Sequence, residues 1–410
     1  MHGIRKFWRK LGPGLITGAS DDDPSGIATY SQAGAQFGLT MLWAALITYP
    51  MMYAIQEMCA RIGIVTNNGL AGVLRKHHRP FILYALLILV IPSIVLNIAA
   101  DLAGMGAVVN MLIPAIPKLL VDAVVTLVSI SFLIYFPYRK IANVLKYFCL
   151  TLLCYMIVPF LQSQNWENIL YHTFIPSIKW EKEYLWIFVG ILGTTISPYL
   201  FFWQASISRE HKNHSLKTMG TELQEMQIDV NTGMFASNLA MYFIILTTGT
   251  VLFENGVNTI NTVEEAAKAL EPVAGKASYF LFAIGVLGVG FLSIPVLALC
   301  IGFIFSEIFN WQAGLDKKFH EAKSFYVMIS ASLIAGFAIN LLGFDPIKML
   351  ILTAVVYGVI APFVIAAILH ICNDQKLMKG KVNTWWRNAL GIAALILMSC
   401  AAIAMLVLLF

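Results

Sequence analysis

Three consecutive carboxylates, Asp21, Asp22 and Asp23, are followed by Pro24, Ser25 and Gly26 inside a stretch that is otherwise apolar. A second interruption, Gly193-Thr194-Thr195-Ile196-Ser197-Pro198-Tyr199, lies far down the chain. The chemistry such a pair can do is cation binding. A proline in mid-helix has no N–H and blocks the carbonyl four residues back, so an apolar medium tolerates it only where the freed carbonyl finds a partner, and a bound cation is one. A carboxylate at a bilayer centre costs about 2.5–3.5 kcal/mol, so three together would not face lipid. Each proline alone reads equally as a kink, and Asp21 and Asp22 as solvating groups at an aqueous vestibule; the pairing of the two interruptions is what favours a site.

The elements that must position these residues follow from composition. Of 410 residues, 59% are hydrophobic and 12% charged, with a mean hydropathy of +0.77, whereas soluble domains carry about 25% charged residues. Apolar windows of roughly 20 residues, enough for a hydrocarbon core of roughly 30 Å, fall at 11–38, 41–62, 81–107, 119–137, 143–163, 184–207, 231–252, 277–306, 324–342, 347–371 and 387–409. The expected protein is therefore an all-α integral membrane domain over 1–410 with eleven transmembrane helices, the first and sixth broken, and no room for a soluble domain.

Lys and Arg divide 21 to 6 between the two sides when the N-terminus is cytoplasmic. This is the positive-inside pattern, and it places the C-terminus outside and the chain in the cell inner membrane. The net charge of +5 then needs no nucleic-acid partner; Arg75, Lys76 and Arg79 read as topology signals and lipid contacts. The basic start (Arg5, Lys6, Arg9, Lys10) lacks a small-residue cleavage site, so no cleaved signal peptide is expected. Broken helices five spans apart indicate two inverted halves, 1–163 and 184–371, with 387–409 as an extra helix, and paired breaks of this kind point to a transporter's midplane site.

Outside the breaks, Asp101 in an apolar helix reads as functional or as paired with a structural cation. Asn97 and Gln204 can line a path or bond within the core. His77, His78, His211 and His214 sit in basic loops and read as solvated. Six scattered cysteines (Cys59, Cys149, Cys154, Cys300, Cys372, Cys400) show no metal or disulfide spacing and read as small hydrophobes.

The chain resembles the Nramp (natural resistance-associated macrophage protein) divalent-metal transporters. The resemblance is carried by Leu11-Gly12-Pro13-Gly14, Asp23-Pro24-Ser25-Gly26, Gln32-Ala33-Gly34-Ala35-Gln36-Phe37-Gly38 to Leu42-Trp43, and Ala60-Arg61-Ile62-Gly63-Ile64-Val65-Thr66, and it continues through Gly193 to Pro198. It implies a LeuT-like fold of two inverted five-helix repeats and an ion site between a D-P-G-N motif in helix one and an A-x-x-M-P-H motif in helix six. Carried over by position, it makes Asp23 the metal-binding aspartate and the Thr194 carbonyl a ligand. Three positions depart from the family: Gly26 replaces the asparagine ligand, Ser197 the methionine and Tyr199 the histidine. In helix three the family's D-x-x-E reads Asp101 to Gly104, without the glutamate.

These departures imply a divergent magnesium- or manganese-type branch. Without a thioether, and with Gly26 leaving room for water, the expected site is wide, oxygen-only and carboxylate-rich, suited to a hard ion that keeps part of its hydration shell. The expected metal set is Asp23, Thr194, Ser197, Gly26 and Asp22, with Asp21, Asp101 and Tyr199 on the pathway. The expected function is import of Mg²⁺ or Mn²⁺ by alternating access, by a monomer without a resident cofactor. The alternatives are a proton-coupled Mn²⁺/Fe²⁺ symporter, and a sodium-coupled amino-acid transporter of the same fold, whose substrate carboxylate three acids would repel. An intramembrane hydrolase using Asp23 and Asp101 lacks any second catalytic signature.

Overall fold

The computed structural model describes residues 13–136, 154–161, 164–213 and 218–409, with helices as the only regular elements among them. The basic start, Leu11, Gly12, Cys149, His214 and most of the expected fifth span lie outside the described residues. In chain order the helices are α1 (Pro13–Asp21), α2 (Pro24–Phe37), α3 (Trp43–Thr66), α4 (Leu70–His77), α5 (Pro80–Leu112), α6 (Lys118–Tyr135), α7 (Cys154–Leu161) and α8 (Trp166–Phe174). There follow α9 (Lys182–Thr195), α10 (Pro198–Asn213), α11 (Met219–Thr248), the short α12 (Val263–Ala267) and α13 (Glu271–Ala274), α14 (Ser278–Phe309), α15 (Lys323–Asn340), α16 (Pro346–Asn373) and α17 (Trp385–Leu409).

Both expected breaks are present, between α1 and α2 and between α9 and α10. Eight helical stretches among the described residues are long and apolar enough to cross a membrane, Lys182–Lys212 counting as one across its break. The stretches Pro24–Met41 and Trp43–Thr66 pass only as a pair bent by 109°, which would make nine. The α1 half-helix, nine residues ending on Asp21, is too short and polar to register alone, so the count of eleven stays an expectation from the sequence.

The breaks have local causes. Asp23 is extended (φ −68°, ψ 172°) and caps α2, its Oδ1 accepting from the Gly26 amide at 2.7 Å, while Pro24 occupies the first turn, where its missing N–H costs nothing. Residue Ile196 leaves helical geometry (φ −119°, ψ 60°) and Pro198 opens α10. The half-helix α1 packs closely on α11, because a Cβ at Gly14 or Gly18 would run into the backbone at Val230 or Gly233.

The breaks are enclosed by other helices: α2 and α9 lie on α16, and α14, α15 and α16 pack against α5. The last helix is anchored by charge. Buried Glu57 on α3 bonds Arg61 (3.2 Å), and Arg387 Nε on α17 lies 3.0 Å from it as an ion pair not aimed as a hydrogen bond. Arg61 also donates to the Lys381 carbonyl at 2.7 Å. Removing one partner from such a buried cluster costs about 3–5 kcal/mol, because the other charge is stranded.

Candidate functional site

The three aspartates are all buried, but they part company. Asp23 turns toward α5: beside its cap bond to Gly26, its Oδ2 accepts from Asn97 Nδ2 at 2.8 Å. Asp21 and Asp22 turn toward α11, where the Ser237 hydroxyl lies 2.7 Å from Asp21 Oδ2 and 3.2 Å from Asp22 Oδ1. The expected grouping of Asp22 beside Asp23 is therefore not formed, since successive residues around the break bond to different helices. No three His, Cys, Asp or Glu side chains converge as metal ligands among the described residues.

The second break supplies neutral oxygens. Pro198 cannot donate to the carbonyl four residues back, that of Thr194, and Ser197 Oγ donates to it instead at 2.7 Å and to the Gly193 carbonyl at 3.0 Å. Pro24 frees the Ser20 carbonyl in the same way, and the Tyr199 hydroxyl donates to it at 3.1 Å. The sequence argument that freed carbonyls call for a cation needs correcting: hydroxyls of this chain hold both, each leaving a second lone pair on the oxygen. The room expected at Gly26 is also taken, because a Cβ there would sit 3.1 Å from Thr194 Oγ1 and 3.4 Å from Tyr30.

The structure thus brings Asp23, Gly26 and Thr194 together, with Ser197 bonded to Thr194 and Tyr199 joining the half-helices. Asp101 lies one turn beyond Asn97 on α5; its Oδ2 accepts from Ser293 at 3.0 Å, and no cation pairs with it among the described residues.

Several buried oxygens in this region have no hydrogen-bond partner: Asp21 Oδ1, Asn97 Oδ1, Asp101 Oδ1, Tyr30 OH and Tyr357 OH. Tyr357 packs on Tyr199 with ring centroids 5.5 Å apart. Interiors rarely leave such atoms unsatisfied, and buried acceptors without donors are open to a cation or to the water it carries. Beyond Pro24, toward Gly104 and Ile260, lies a small cavity of about 20 Å³ whose lining is apolar, the kind of space that stays dry.

Asn97 and Ser237 are the site residues that sequence reasoning did not assign. The available signal for Asn97 was its place four residues before Asp101, on the same face of one apolar helix; Ser237 carries no comparable mark. Gln204 bonds within the core, accepting from Thr17 at 2.6 Å and donating to Ser208 at 3.1 Å. His78, expected to be solvated, packs edge-on against His370 at 5.2 Å. Partial burial and then repulsion from His370 and His77 hold its pKa below the ordinary histidine value.

Comparison with known proteins places this geometry. The family model described as natural resistance-associated macrophage protein-like matches residues 14–408. A divalent metal cation transporter MntH of Caldanaerobacter subterraneus is 26% identical over 393 residues, covering 95% of this chain and 90% of the relative. A crystal structure of the Eremococcus coleocola manganese transporter superposes with a TM-score of 0.73 at 18% identity, covering 98% of this chain and 87% of that one. The structure of MhsT in complex with L-phenylalanine superposes at 0.62 with 11% identity, covering 97% of each chain. At these identities the two solved structures speak for the fold, which is LeuT-like.

Proposed function

This chain belongs to the Nramp family, and on that premise we propose that it is a multi-pass membrane transporter that imports divalent metal cations by alternating access around Asp23. It is not an enzyme, and the hydrolase reading of Asp23 and Asp101 falls away. The observation that carries the proposal is the buried carboxylate of Asp23 at one helix break, set against the Thr194 region of the other break. The relatives named as metal cation transporters support the substrate class.

In this reading Asp23 supplies the charge, and the Thr194 carbonyl and Ser197 hydroxyl supply neutral oxygens. Gly26 stands where the family's asparagine ligand would, with the Thr194 hydroxyl in its space. Asp21 and Asp22 line the approach on the α11 side, and Tyr199 ties the half-helices. Hard, oxygen-only donors favour Mg²⁺ or Mn²⁺ over thiophilic ions. The positive-inside count sets the N-terminus in the cytoplasm.

The test is uptake into proteoliposomes, each divalent ion offered in turn at fixed inside-negative potential. Saturable uptake of Mg²⁺ or Mn²⁺, with weak competition by Cd²⁺, is the expected result. Absence of uptake of every divalent ion would remove the proposal.

A further inference from the structure

We infer that Asn97 is a specificity-determining residue of this site: its side-chain oxygen presents a hard, uncharged donor to the cation held by Asp23. The inference rests on the transport reading above and adds a residue that the two broken helices do not supply.

Three observations carry it. Asn97 is fully buried on α5 and donates through Nδ2 to Asp23 Oδ2 at 2.8 Å. That bond fixes the amide's direction, because the flipped amide would set its oxygen against a carboxylate that can only accept. The oxygen is left without a partner, in the most polar part of the interior, where an orphaned acceptor calls for an explanation. Finally, Asp101 lies one helical turn on, pinned by Ser293 through one oxygen and orphaned at the other, so this face of α5 presents two unused oxygens.

The geometry suits one ion shared with Asp23. In a planar amide the nitrogen and oxygen are about 2.2 Å apart, so Asn97 Oδ1 lies within about 5 Å of Asp23 Oδ2. Neighbouring ligands of an octahedral Mg²⁺ at about 2.0–2.1 Å are about 3 Å apart and opposite ones about 4 Å, within reach of a small side-chain adjustment. An amide oxygen ranks with carboxylate, carbonyl and water as a donor suited to Mg²⁺ and Mn²⁺. A residue that merely held Asp23 in place would instead affect every ion alike.

The experiment compares Mn²⁺ and Cd²⁺ binding to the purified full chain and their uptake into proteoliposomes, for wild type and Asn97→Cys. A thiol at an ion-facing position raises the Cd²⁺ to Mn²⁺ preference by about tenfold or more. Equal losses for the two ions, or a ratio unchanged within about threefold, overturn the inference and leave the transport reading standing. If Asn97→Cys does not fold, Asn97→Asp decides: tighter Mn²⁺ binding supports an ion-facing oxygen, whereas weaker binding of all ions, from repulsion of Asp23, overturns it. Failure of the wild type to bind or carry any divalent ion would sink the transport reading itself, and this inference with it.

Discussion

The Tyr199 hydroxyl donates to the Ser20 carbonyl at 3.1 Å, joining half-helix α10 to half-helix α1 across both breaks. The acceptor is the carbonyl that Pro24 leaves without its helical donor, so this bond both satisfies the break and closes it. Alternating access requires the half-helices to part. Tyr199→Phe keeps the ring against Tyr357 and deletes only the bond, worth about 1 kcal/mol net, or roughly a fivefold shift toward an opened state. Thiol labelling of a cysteine placed at Ile16 should speed up several-fold in the variant. An unchanged labelling rate would show that the bond does not hold the site shut.

Asp23→Asn should abolish transport while leaving an inserted, folded protein. Asparagine serves as well as aspartate at a helix N-cap, so the bond to the Gly26 amide survives, and what disappears is the only charge the proposal places on the ion. Uptake near the wild-type rate from a well-folded variant would remove the central claim.

Much of this site was legible in the sequence because prolines and intramembrane acids are costly wherever they fall, and cost shows in composition. Both breaks and the all-helical membrane class were readable for that reason, whereas the pairing of Asp23 with Thr194 and the LeuT-like fold came from the family resemblance. The directions taken by Asp21 and Asp22 were not readable, since adjacency in sequence says nothing about which neighbour each side chain meets once the helix unwinds. Nor was the filling of the space at Gly26, because the neighbour that fills it, Thr194, comes from the other half of the chain. Asn97 escaped assignment because a single amide in an apolar helix has ordinary core uses, and only its orphaned oxygen and its bond to Asp23 set it apart.

Gly26→Asn combined with Ser197→Met should move preference toward Mn²⁺ and Cd²⁺ at the expense of Mg²⁺. The methionine removes the hydroxyl that occupies the Thr194 carbonyl and adds a soft thioether. The asparagine, meeting Thr194 Oγ1 at 3.1 Å from its Cβ, must displace that hydroxyl and brings an amide oxygen in its place. Competition assays read the order of ions directly. The parent's order, retained in a variant that still transports, would mean that these positions do not set selectivity.

His78 gives a pH signature outside the membrane. Its folded pKa lies below the ordinary value, so between the folded pKa and about 6.5 the unfolded chain binds more protons than the folded one. Stability therefore rises with pH through that window, is lost as the medium is acidified through it, and levels off below the folded pKa. Both ring nitrogens are buried without a hydrogen-bond partner, so protonation gains no compensating acceptor in the folded chain. Thermal unfolding in detergent from pH 7.5 down to 5 should show a loss that is smaller in His78→Gln, and identical profiles would place the acid sensitivity elsewhere.

Ion entry should be driven mainly by membrane potential, with weak proton coupling. A proton path through a helical transporter needs titratable side chains chained from the site to one face, usually Asp, Glu or His. Tyr199 stands where the family has histidine, and its hydroxyl is committed to Ser20; tyrosine ordinarily titrates near pH 10, too high to exchange protons around neutrality. Gly104 stands where the family has glutamate and cannot titrate at all, so α5 offers Asp101 without its partner. A divalent ion gains about 4.6 kcal/mol per 100 mV of inside-negative potential, at about 2.3 kcal/mol per charge, so accumulation does not require a proton. Asp21 and Asp22 are the residues from which a substitute relay would have to be built, and both are bonded to Ser237, away from Asp101. A pH dye trapped in proteoliposomes during Mn²⁺ or Mg²⁺ uptake decides the matter: the expected trace is nearly flat, and a metal-dependent proton influx comparable to the metal flux would defeat the prediction.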